Sequence, residues 1–60
     1  MAYYRLYFFD TDGRIEQFRE FELRHDDAAI EQASMWRTSD AMELWAGPRL
    51  VRRWDAVRAP

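Results

Sequence analysis

The sequence predicts an α+β domain, ββαββ, in which one helix joins two β-hairpins and packs on one face of an antiparallel sheet. Three observations predict it. An aromatic run, "YYRLYFF", ends at an Asp-Gly turn. A stretch with helical spacing, "DDAAIEQASMWR", lies in the middle of the chain. Two apolar segments, "AMELWA" and "LVRRW", flank a Gly-Pro pair.

Residues 3–9 read as the first strand. Tyr4, Leu6 and Phe8 share one face; Tyr3, Arg5, Tyr7 and Phe9 share the other. Asp12-Gly13 is a strong hairpin pair. Residues 14–24 return as a second strand, with Phe21 and Leu23 alternating against Glu20, Glu22 and Arg24. Phe18 breaks that alternation, because Ile15, Phe18 and Phe21 are three apart, and this predicts a β-bulge or a twisted edge. A helix over 15–23 is the rival reading. Residues 26–37 form the helix. Asp26 or His25 caps it, its paired acids suit the dipole, and Arg37 falls in the last turn. Ala29, Ile30, Ala33 and Trp36 make its apolar stripe, small enough for close approach to a sheet.

Residues 41–46 and 50–54 form the second hairpin, with Pro48-Arg49 as a two-residue turn. In that register Ala46 opposes Val51, Trp45 opposes Arg52, Leu44 opposes Arg53 and Glu43 opposes Trp54. Arg52 is then placed to stack on Trp45. Residues 1–60 make a single small domain with an ordered core over about 3–54 and a frayed tail over 55–60.

Composition narrows the function. Sixty residues bury only about 60% of their unfolded surface. Such small cores often lean on disulfides, metals or oligomerisation. There is no cysteine and one histidine, so oligomerisation is the support that remains, beside an idealised monomer. The net charge of −2 does not suit a nucleic-acid polycation or a polybasic membrane binder. No apolar run reaches the ~20 residues of a membrane span. The start of the chain lacks the pattern of a signal peptide, so the bacterial cytoplasm is the expected location. All nine basic residues are arginine, which fits a GC-rich coding bias or selection for planar, stacked contacts.

One helix covers one sheet face. The other would carry Tyr3, Tyr7, Phe9, Trp45 and Trp54, a contiguous patch of the size that marks interaction sites. These five are the candidate interface anchors, with Arg52 as their polar partner. Coverage of the patch by strand twist and the C-terminal tail is the plainer alternative. The leading expectation is a non-enzymatic interaction domain that self-associates, as a dimer, through this face or an edge strand. A nucleic-acid module that stacks bases on the same aromatics is a second reading, opposed by Glu16, Glu20, Glu22 and Glu43. A small-molecule or peptide-binding accessory module, with a groove beside the helix, is a third.

No catalytic residue, metal ligand or cofactor site is expected. "FFDTDG" resembles the nucleophile motif of haloacid-dehalogenase-type phosphatases, which would imply an attacking Asp10, an Asp12 that handles the leaving group's proton, and magnesium. The likeness covers six residues, and the chain is too short for that family's sheet and further loops. Asp10 bonding to backbone amides of the turn explains the motif. The same "DTDG" lacks the ligands and spacing of a calcium loop. "HDD" at 25–27 reads as a helix cap. Ser34, Thr38 and Ser39 have no His–acid framework, and Gly13 and Gly47, the only glycines, make no phosphate loop.

The combination "YYRLYFFDTDGRI", "REFELRHDDAAIEQA" and "MELWAGPRLVRRW" resembles a group of very short bacterial proteins of unknown function. The likeness spans residues 3–54. It implies the same α+β shape and transfers no activity and no functional residue.

Overall fold

The computed structural model describes residues 1–57. Its elements are β1 (Ala2–Phe9), β2 (Ile15–Leu23), α1 (Asp26–Met35), β3 (Ala41–Ala46) and β4 (Arg49–Trp54). The strands form one antiparallel sheet in the order β2-β1-β3-β4, so the architecture is α+β, ββαββ. β1 and β3 hold the centre; β2 and β4 are the edges.

The first hairpin turns on Asp10. Its Oδ1 accepts from the amides of Asp12 at 2.9 Å and Arg14 at 3.0 Å. Gly13 takes φ +80°, a region costly for any residue with a Cβ. Phe8 pairs with Gln17 and Phe9 with Ile15, which leaves Glu16 as an extra residue. This bulge explains the three-residue spacing. Ile15 and Phe18 join Phe9 and Tyr7 on one face, while Phe21 faces Tyr4 on the other. The segment is a strand, not a helix.

His25 caps α1 from an extended backbone (φ −158°, ψ 170°), its Nδ1 accepting from the Ala28 amide at 3.2 Å. Asp26 and Asp27 occupy the first turn. Ala29 and Ala33 are fully buried, and their small side chains let the helix lie close to the sheet. The helix ends at Met35, two residues short of the expected end. There the amides of Trp36 and Arg37 tighten onto the carbonyls of Ala33 and Ser34. Arg37 therefore lies beyond the last turn, and its guanidinium donates to the Asp55 carbonyl instead.

The core is Tyr4, Leu6, Phe8, Met42, Leu44 and Trp54 beneath the two alanines. Leu6 faces Leu44 and Phe8 faces Met42 across β1 and β3. Burying each such side chain contributes about 1.5–3 kcal/mol. Phe21 and Trp36 extend the core, their rings 5.2 Å apart and edge-on.

The second hairpin differs from expectation in two ways. The turn is Gly47-Pro48, not Pro48-Arg49, because Ala46 pairs with Arg49. Gly47 has φ +60°, which a type II′ turn requires at its first central position. Trp45 consequently faces Leu50, not Arg52. A second bulge follows: Leu44 pairs with Arg52, so Val51 is the extra residue, and Met42 pairs with Trp54. Beyond β4, the Val57 amide donates to the Ser39 carbonyl at 2.9 Å. The remainder of the expected tail, 58–60, lies outside the described residues.

Candidate interaction surface

The face of the sheet away from α1 is built from alternate residues of four strands. Read across β2, β1, β3 and β4, one row is Glu20, Arg5, Trp45 and Leu50; the next is Phe18, Tyr7, Glu43 and Arg53. Tyr3 and Glu22 flank the first row, and Ile15, Phe9 and Ala41 flank the second.

Of the six expected interface residues, the structure brings four together: Tyr3, Tyr7, Phe9 and Trp45. They line one shallow groove of about 660 Å³ with Arg5, Ile15 and Glu43. Trp54 and Arg52 are not there. Trp54 is 8% exposed and belongs to the core. The Val51 bulge shifts the alternation of β4 by one residue, which turns Trp54 inward. Arg52 lies on the same side, its guanidinium carbon 5.3 Å from the Trp54 ring centre, so the expected stack on Trp45 does not form.

The face gains three apolar residues that the sequence reading did not place there. Ile15, Phe18 and Leu50 are 55%, 52% and 45% exposed. The broken alternation at Phe18 carried a signal for the first two. For Leu50 the signal was Gly47, since placing the glycine first in the turn sets Leu50 opposite Trp45.

Arg5 organises the centre. Its guanidinium lies 5.1 Å from the Phe18 ring centre and 6.0 Å from that of Tyr7. It also donates to the Tyr7 hydroxyl at 3.3 Å and pairs with Glu20 at 3.2 Å. The Trp45 indole donates to Glu43 Oε1 at 3.0 Å. The polar groups are thus oriented by their neighbours, with Arg5 laid over Phe18 and Tyr7, while Tyr3 and Phe18 stay about half exposed.

Two other polar clusters stand apart from this face. Asp26 accepts from Arg49 at 2.8 and 3.1 Å and from the Tyr4 hydroxyl at 2.9 Å. The Arg49 hydrogen bonds, then that of Tyr4, lower the Asp26 pKa. Burial, then the bond to Asp26, raises that of Tyr4. The cluster ties the helix start to β1 and β4. Beside Asp40, Glu16 can form a hydrogen bond only when protonated, and this with the repulsion between the two carboxylates raises the Glu16 pKa. Among the described residues no group of three or more His, Asp or Glu is placed to hold a metal ion, and no helix is long and apolar enough to cross a membrane.

No family model matches the chain, and neither a curated protein nor a solved structure matches it.

Proposed function

We propose that this chain is a non-enzymatic interaction domain that self-associates through the open sheet face. One observation carries the reading: Tyr3, Ile15, Phe18 and Leu50 are each close to half exposed or more, on a face that α1 does not cover. Together with Tyr7, Phe9 and Trp45 they form an apolar surface, interleaved with Arg5, Glu20, Glu43 and Arg53, of the kind that marks interaction sites. Tryptophan, tyrosine and arginine are the residues that most often dominate interface energies. Support from outside also suits a chain whose own core is small.

The nucleic-acid reading loses its main argument. The arginines of β4 divide between the two faces, and Glu20, Glu22 and Glu43 stand beside the aromatics on the open one. A groove beside the helix, as a ligand module would need, is not what the aromatics line. Cytoplasmic residence is part of the proposal, compatible with a chain that has no disulfide to form.

Sedimentation equilibrium at tens of micromolar tests it. The parent is expected to run as a dimer. Trp45→Ala and Tyr3→Ala should shift it toward monomer while far-UV circular dichroism stays unchanged. A parent that is monomeric throughout this range overturns the reading.

A further inference from the structure

Resting on that reading, we infer that the open face meets a second copy of this chain across a two-fold axis running parallel to the strands, so that β1 of each copy lies over β3 of the other. The register decides this. Rotation about such an axis keeps each cross-strand row level with itself and reverses the strand order. The row Glu20, Arg5, Trp45, Leu50 then meets itself backwards. Arg5 lies over Trp45 of the second copy, a favourable cation–π arrangement.

The next row behaves the same way. Tyr7 comes over Glu43 of the second copy, where its hydroxyl can donate to the carboxylate. Arg53 comes over Phe18. Glu20 comes over Leu50, the one charge set on an aliphatic side chain, with Arg53 of the same edge one row along as its nearest opposite charge. An axis across the strands would instead keep the strand order and exchange the rows. It would set Trp45 on Glu43, Phe18 on Glu20 and Leu50 on Arg53, two anions on aromatic residues and a cation on an aliphatic one, against the single Glu20–Leu50 mismatch of the first arrangement. Strand directions agree closely in either arrangement, as in aligned sheet packing, so the side chains make the choice.

The area fits a reversible dimer. Strands of nine, eight, six and six residues, at about 3.3 Å per residue and about 4.8 Å apart, outline a face of roughly 450 Å². Two such faces bury on the order of 900 Å², in the range of weak, transient interfaces. The dimer should therefore dissociate on dilution.

The absence of cysteine allows a clean test. Single-cysteine variants at Phe18, Glu20, Leu50 and Arg53 are purified separately, mixed in pairs and treated with a short bismaleimide. The pairs Phe18→Cys with Arg53→Cys, and Glu20→Cys with Leu50→Cys, are expected to give mixed covalent dimers several-fold above each variant alone. Mass spectrometry of the linked peptides identifies them. The second pair leaves the aromatic residues in place, so loss of Phe18 cannot obscure the result. Preferential linking of Phe18→Cys with Glu20→Cys, or of Leu50→Cys with Arg53→Cys, overturns the axis while leaving self-association intact. A parent that sediments as a dimer yet links in none of these pairs overturns the use of this face. A monomeric parent removes the underlying reading itself.

Discussion

Trp54 stands opposite Met42 across β3 and β4, and the extra residue Val51 puts it there. Without that bulge, pairing from the Gly47-Pro48 turn would set Trp54 against Ala41 on the open face. The bulge thus moves the largest side chain of β4 from the surface into the core. It leaves Trp45, nine residues earlier, on the outside.

The two tryptophans should respond differently to truncation. Trp54→Ala removes a core side chain and should cost about 3–5 kcal/mol, close to the whole stability expected of so small a domain. Trp54→Phe keeps most of the packing and should fold. Trp45→Ala should cost about 1 kcal/mol in the monomer, on the scale of a mild surface change, and act mainly on association. Urea unfolding below the dimer's dissociation range separates the two effects.

The helix–sheet spacing depends on Ala33, which is fully buried. Ala33→Leu inserts atoms where the helix lies close to the strands, and should destabilise by about 1–3 kcal/mol despite leucine's good helix propensity. Ser34→Ala, one residue along and exposed, should stay within about 0.5 kcal/mol. Thermal unfolding of both variants checks the contrast.

The pH dependence has two opposed contributions. Hydrogen bonds from Arg49 and Tyr4 lower the Asp26 pKa. Its stabilisation is therefore present above the ordinary carboxylate value and is lost as pH falls through the lowered folded value. The neighbouring Asp40 carboxylate, to which only protonated Glu16 can donate, raises the Glu16 pKa. That contribution is present below the ordinary value and is lost as pH rises through the raised folded value. Asp26→Asn should flatten the acid limb of the stability profile, and Asp40→Asn should raise stability at neutral pH. Melting midpoints between about pH 3 and 7 read both changes.

Much of this was legible in the chain. The alternation of Tyr4, Leu6 and Phe8, the Asp12-Gly13 pair and the Ala29–Ala33 spacing are local signals, fixed by side-chain direction along a strand or helix. They determined the strands, the helix, the inner face of β1 and the existence of an open aromatic face. The tertiary structure alone decided which residues of β2 and β4 lie on that face. Glu16 and Val51 are extra residues whose effect is set by pairing with a neighbouring strand, and one such residue reverses every side chain beyond it. Phe18 therefore came outward beside Ile15 and Trp54 went inward, because a bulge is a property of two strands together, while Leu50 came outward because the turn falls at Gly47-Pro48.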